Sequence, residues 1–254
     1  MSREKSILNV SNVFRSYVTT TPNGDNVSNL VLKGISFRVR KGEFIGIMGS
    51  SGCGKTTLLK TLGMLNPPDE GAIFYKGQNT SEIYGDRLAK IRRTEIAFIF
   101  QDYYLLDSLT VQENIMLPLI LNEDSYKKSI QRVTNIAKRF KIDHLLDKKP
   151  YELSGGEKQR TAICRAMAAD PELILADEPT GNLDSKASMT VIKTLSYINK
   201  KLGKTILLVT HDPKVASYCD KILLLKDGKI LDTLINEDGR EAFYQKILEN
   251  MECL

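Results

Sequence analysis

The sequence predicts an α/β chain, with a mainly parallel sheet flanked by helices, an antiparallel β portion near the N-terminus and an inserted helical segment. Three observations predict it. Short apolar strands alternate with amphipathic helices along most of the chain. A glycine-rich loop stands at the carboxyl end of one such strand and opens a helix. Over residues 102–168 the pattern changes to helix after helix before strands resume.

Taken in order, residues 7–17 alternate loosely as a first strand. A polar, turn-rich insert at 19–29, with Pro22, Asn23 and Gly24, reads as an exposed hairpin loop. Ile35, Phe37 and Val39 face one way and Ser36, Arg38 and Arg40 the other, as in a half-buried antiparallel strand. Residues 43–48 (EFIGIM) are a short apolar run of strand type, and Leu58, Leu59, Leu62 and Leu65 then recur at helical spacing. Residues 66–71 (NPPDEG) break the chain and 72–75 resume a strand. Residues 81–92 read as a helix, and 96–100 (IAFIF) as an apolar strand ending on Gln101.

Thr110 and Glu113 fit a capping box, and Ile130, Val133, Ala137 and Phe140 form a helical stripe. Residues 173–176 are an apolar strand closed by Asp177 and Glu178. Asp184 or Ser185 caps an amphipathic helix carrying Val191, Ile192, Leu195 and Ile198. Residues 205–209 are another buried strand, followed by Asp212 and Pro213 as N-cap and first helical residue. Residues 222–225 and 230–231 pair around Asp227-Gly228, and 240–250 make an amphipathic helix through Phe243, Ile247 and Leu248.

Composition bounds the function without choosing it. At 254 residues, 42% hydrophobic and 26% charged, the chain is long enough for a real core and ordinary for a soluble globular protein. The longest apolar runs fall far short of a membrane span, and the N-terminus has no signal-peptide core, so a cytoplasmic location is expected. Cys53, Cys164, Cys219 and Cys253 have no metal-ligand spacing and are expected to be free thiols. The net charge of +5 is spread along the chain, with no arginine-rich arm, and gives no sign of a nucleic-acid partner.

The chemistry begins at GSSGCGKTT, residues 49–57, a match to G-x-x-x-x-G-K-[ST] in the strand–loop–helix context that such a match requires. Gly49, Ser50, Ser51, Gly52, Cys53, Gly54 and Thr57 frame a loop whose backbone N–H groups converge on phosphate oxygens, aided by the helix N-terminus. Lys55 reaches the β- and γ-phosphates of a nucleoside triphosphate, and the Thr56 hydroxyl is placed to ligate Mg²⁺. Asp177 and Glu178 supply the second half of such a site: one carboxylate for the metal, its neighbour for the attacking water. Ser154, Gly155, Gly156 and Glu157 form a capping box in which two glycines spend helix stability. Those glycines make sense if bare N–H groups meet an anion at that helix start, one held by another copy of the chain.

LSGGEKQR at 153–160, ahead of the 173–178 strand with its acidic pair, resembles the signature of ATP-binding-cassette (ABC) ATPases. The resemblance covers nearly the whole chain. It implies a P-loop NTPase (RecA-like) α/β fold in one domain, 1–254. Residues 1–101 and 169–239 would form the nucleotide-binding core with its antiparallel β subdomain. Residues 102–168 would be a helical subdomain with the signature, and 240–254 a tail. By the same resemblance Tyr17 stacks on adenine and Gln101 joins Lys55 and Thr56 in binding phosphate and Mg²⁺. Gly181 to Asp184 form the D-loop, and His211 contacts the γ-phosphate. The implied assembly is a head-to-tail homodimer with two sandwiched ATP molecules. In it Ser154, Gly155, Gly156, Glu157 and Asp184 serve the partner's nucleotide.

Position 53, commonly serine in this loop, is cysteine. It reads first as a small residue standing where serine would do; the alternative is a thiol whose pKa is lowered by Lys55 and the loop amides. FQDYYLLDSLTVQENIMLPL at 100–119 and ADEPTGNLDS at 176–185 resemble the group of macrolide-export, lipoprotein-release and bacitracin-type systems; within it, the run from FIFQDYYLLDSLTV to VTHDPKVASYCDKILLLKDGKI, residues 98–230, most resembles the bacitracin type. That implies a motor on the cytoplasmic face of a bacterial membrane, docked on a separate permease with a large extracellular domain. In many such systems the permease works with a sensor histidine kinase. A soluble cassette ATPase acting on DNA or ribosomes is the competing class; it usually carries a second cassette, a coiled coil or a basic arm.

Overall fold

The computed structural model describes residues 6–20 and 24–251. Two compact units emerge, one formed by Met1–Tyr84 with Leu207–Leu254 and the other by Gly85–Ile206.

In the first unit, β1 (Ser6–Thr20) pairs antiparallel with β2 (Asn26–Arg40) and with β4 (Glu70–Tyr75), and β4 pairs with the short β5 (Gln78–Asn79). The β1–β2 ladder continues through Val18↔Ser28 and Thr19↔Val27 to Thr20↔Asn26. Much of the loop expected at 19–29 is therefore strand. Both faces of this extension are exposed, so no apolar alternation marks it in the sequence, and backbone pairing alone defines it. Thr21, Pro22 and Asn23 lie outside the described residues. Ile35 and Val39 are buried with Ser36, Arg38 and Arg40 exposed, matching the alternation.

The second sheet portion of this unit is built on β3 (Phe44–Met48), buried at every position. It pairs parallel with β9 (Lys221–Lys226), which pairs antiparallel with β10 (Lys229–Ile235), and β8 (Thr205–Val209) flanks β3 on its other side. The β9–β10 turn is Asp227-Gly228 with both residues at positive φ, a conformation whose twist suits a two-residue hairpin. Helix α1 (Lys55–Leu62) buries Leu58, Leu59 and Leu62, each contributing about 1.5–3 kcal/mol of burial. The helix ends at Gly63, so Leu65 misses the apolar face and is 39% exposed. Helix α7 (Pro213–Ala216) starts at Asp212, whose side chain accepts from the Lys214 N–H. Helix α8 (Arg240–Met251) buries Phe243 and Ile247 and packs on α7 and β10; Leu248 sits at its margin, 37% exposed.

In the second unit, β6 (Ile96–Phe100) pairs parallel with β7 (Leu173–Asp177), in the register Phe100↔Asp177. Helix α2 (Gly85–Thr94) begins later than the spacing suggested because a 3₁₀ turn occupies Thr80–Glu82. Helices α3 (Val111–Leu121), α4 (Tyr126–Arg139) and α5 (Gly155–Ala168) pack on one another, and α5 also packs on α6 (Ser185–Leu202) and β6. Thr110 caps α3 in a complete capping box with Glu113, and Asp184 caps α6 by accepting from the Lys186 and Ala187 N–H groups at 2.8 and 2.9 Å. No helix of the described residues is long and apolar enough to cross a membrane.

Candidate functional site

In the first unit the loop after β3 is shaped by close approach. A Cβ on Gly49 would collide with the Leu225 carbonyl and lie 2.6 Å from the Cys53 Sγ. Gly54 has φ +106 and starts α1 without any side-chain cap and without an acidic residue in the first turn. An uncapped helix start leaves N–H groups to be satisfied by something else, and an anion does this with the help of the helix dipole. Lys55 is 7% exposed, and its ammonium donates to the Gly49 and Ser50 carbonyls at 2.9 and 2.8 Å. It is folded over the cradle it would share with phosphate. Ser50, Ser51, Gly52 and Thr56 are exposed around it, and Thr57 is half-buried.

Of the two readings of Cys53, the lowered pKa does not hold. Burial pushes its thiol above the ordinary value; the neighbouring Lys55 charge and backbone N–H groups pull the other way without overcoming it, and Asp227 adds to the rise. Folded protein should therefore alkylate at Cys53 more slowly at pH 7.5 than unfolded protein, with a rate still rising beyond pH 9. Mass spectrometry after timed iodoacetamide treatment, against a C53S control, checks this. Faster labelling of the folded chain below pH 8 would contradict it. Cys53, Cys164 and Cys219 are buried free thiols, and Cys253 lies outside the described residues.

Thr210 donates its N–H to the Ile47 carbonyl at 3.2 Å, so His211 leaves β8 at the same end of the sheet as the Gly49 loop and is exposed. Tyr17, 37% exposed, accepts at its hydroxyl from Asn66 Nδ2 at 3.1 Å, and the Arg15 guanidinium lies 5.2 Å from the ring centroid. Arg15 is itself held by Asp69 at 2.5 Å. One face of the Tyr17 ring thus carries a cation held in place by Asp69.

In the second unit the β6–β7 register brings three predicted residues together. Phe100 lies opposite Asp177, so Gln101 leaves its strand beside Glu178. Glu178 has φ +44, a left-handed conformation that a non-glycine residue adopts at a cost and that is frequent at functional sites. The Gln101 amide Nε2 donates to Asn182 Oδ1 at 2.8 Å, and Asn182 Nδ2 donates to Asp102 Oδ1 at 3.1 Å. A Cβ on Gly181 would lie 2.8 Å from Gln101 Nε2, so the glycine is what allows the glutamine side chain to lie there.

Ser154 forms the full capping box of α5. Its N–H and hydroxyl both donate to the Glu157 carboxylate, at 2.8 and 2.7 Å, and these bonds hold the Glu157 carboxyl below the usual range. The two glycines also have packing reasons. A Gly156 Cβ would sit 3.0 Å from the Ala187 Cβ, and a Gly155 Cβ 3.1 Å from both the Tyr103 hydroxyl and Leu183. Ser154 is exposed and Gly155 half-buried, so the helix start faces outward. Three residues outside the sequence prediction join this region. Tyr103 and Tyr104 both have positive φ, and Arg165 donates to their carbonyls at 2.7 and 2.5 Å. An arginine in helical spacing carries no sign of such a role, and only the tertiary contact shows it.

The pattern that defines the ABC transporter family matches residues 32–181. The chain is 42% identical over 250 residues to the bacitracin export ATP-binding protein BceA of Halalkalibacterium halodurans, covering 98% of this chain and 97% of that one. It is 41% identical over 220 residues to the macrolide export ATP-binding/permease protein MacB of Campylobacter jejuni, covering 87% of this chain and 34% of MacB. Among solved structures, the ATP-binding cassette MJ0796, dimeric and bound to ADP and Pi, superposes with a TM-score of 0.81 at 37% identity over 90% of this chain and 98% of that one. This chain belongs to the ABC transporter family, as an ATP-binding subunit whose ATPase activity is coupled to transport.

Proposed function

We propose that the chain is the motor of a bacterial transporter for antimicrobial peptides of the bacitracin type, working as a homodimer on a separate permease at the cytoplasmic face of the membrane. The observation that supports this reading is the likeness to a bacitracin export ATP-binding protein along nearly the full length of both chains. A macrolide-export or lipoprotein-release complex is the alternative, and the MacB likeness, at almost the same identity, favours keeping it.

The residues fit a nucleotide with Mg²⁺. The uncapped start of α1 and the cradle beside Gly49 suit phosphate, and Thr56, Gln101 and Asp177 offer the hard oxygen donors that Mg²⁺ takes, together with phosphate and water. Held there, Mg²⁺ would supply positive charge to offset that of the phosphate. Lys55 leaves the Gly49 and Ser50 carbonyls for the β- and γ-phosphates, and Tyr17 stacks on the adenine. Glu178 accepts the proton of the attacking water, and His211 contacts the γ-phosphate. Ser154, Gly155 and Gly156 of a second copy close over that phosphate, with Glu157 fixing their helix start and Asp184 contributing across the dimer. A cleft of about 500 Å³ walled by Ala89, Phe98, Leu117, Leu121, Arg165 and Ala169 supports a permease helix as the docked partner. Its Phe98 lies three residues before Gln101, and its Arg165 holds the Tyr103 and Tyr104 carbonyls.

Affinity purification of the tagged chain from detergent-solubilised membranes tests the assignment. A multispanning permease with a large extracellular domain, with or without a sensor histidine kinase, is expected. A small permease of the cell-division or lipoprotein type would overturn the peptide reading and leave the motor. Recovery only with nucleic acid or ribosomes would overturn the transporter role.

A further inference from the structure

We infer that Asn182 is a positioning residue that fixes which end of the Gln101 amide is presented to the metal and water. A glutamine amide has a donor end and an acceptor end of nearly equal shape, and only the acceptor can bind a cation. The structure holds the choice through a relay inside the second unit. The Asp102 carboxylate and the Gln101 backbone carbonyl accept only, and both take the Asn182 NH₂, at 3.1 and 3.4 Å. That turns Asn182 Oδ1 the other way, where it takes the Gln101 NH₂ at 2.8 Å. With its donor end engaged, Gln101 has its carbonyl Oε1 left for a ligand.

Gly181 supplies the wall, since any Cβ there would press on Gln101 Nε2 and Cδ. The relay needs a side chain at 182 that donates to one neighbour and accepts from the other. Aspartate would set a carboxylate against Asp102, and alanine would release Gln101 to turn. The inference rests on the proposed role of Gln101 as a metal and water ligand, and extends it to the residue that orients it.

The test is equilibrium binding of a fluorescent ATP analogue to the full chain, in EDTA and at rising Mg²⁺. N182A is expected to raise the Mg²⁺ concentration needed for half-maximal tightening about 10-fold, the usual consequence of losing a partner that orients a metal ligand. Its affinity in EDTA should match that of the unsubstituted chain. In a Q101A background N182A should add nothing, because both changes remove the same contact. N182D alone should resemble N182A, whereas N182D with D102N should restore the Mg²⁺ response. In that pair the new amide donates to the new carboxylate, whose other oxygen takes the Gln101 NH₂. This pair also carries the test if N182A folds poorly. Additive losses in the Q101A background, or no rescue by the pair, would overturn the role of Asn182 alone. A Q101A protein with an unchanged Mg²⁺ response would overturn the assignment of Gln101 and the relay with it.

Discussion

Glu178→Gln is expected to lower ATP turnover by about 100-fold or more while nucleotide stays bound and two copies stay associated. The amide keeps the shape of the side chain and its ability to orient water, and loses the ability to take a proton. The backbone supports this assignment: Glu178 follows Asp177 at the end of β7, in a left-handed conformation, beside the point where Gln101 leaves β6. Phosphate release under steady-state conditions and size-exclusion chromatography with ATP read the two effects separately. A variant that remained monomeric in saturating ATP and turned over at the wild-type rate would show that Glu178 has neither role.

Lys55→Ala is expected to weaken nucleotide binding by about 10- to 100-fold, the worth of a charge-assisted hydrogen bond. The ammonium is buried and already held by the Gly49 and Ser50 carbonyls, so its substitution removes a donor that sits inside the cradle. Titration with a fluorescent ATP analogue measures the change, and thermal unfolding of the same samples separates it from a loss of fold. Unchanged affinity would mean that the loop binds phosphate through its amides alone.

What could be read from the sequence was mostly local chemistry. The capping boxes at Thr110 and Ser154, the N-caps Asp184 and Asp212 and the Asp227-Gly228 turn need only neighbours within three or four residues, and they form as expected. The glycine loop was legible for the same reason, because strand, loop and helix are contiguous. The misses share a different cause. The extension of β1 and β2 to the Thr20↔Asn26 pair is exposed on both faces, so backbone pairing rather than burial defines it. Leu65 and Leu248 keep helical spacing, yet a helix end and a helix margin leave them outside the core. At Cys53 the alternative of a lowered pKa arose because the nearby charge is visible in sequence and the burial is not. The Gln101–Asn182 bond joins residues 81 positions apart, and only the fold brings them together.

The claim on which the rest depends is that a complete site needs the loop of one copy and the signature helix of another. Mixing two inactive variants tests it directly. K55A disables the loop, and G155E places a negative charge at the start of α5, where phosphate would approach. In a head-to-tail dimer each mixed pair contains one site with both defects and one with neither. ATP hydrolysis should therefore return on mixing, to about half the wild-type rate for each mixed pair. If the mixture stays as inactive as its parts while both variants remain folded and dimerise, the composite site does not exist in this protein.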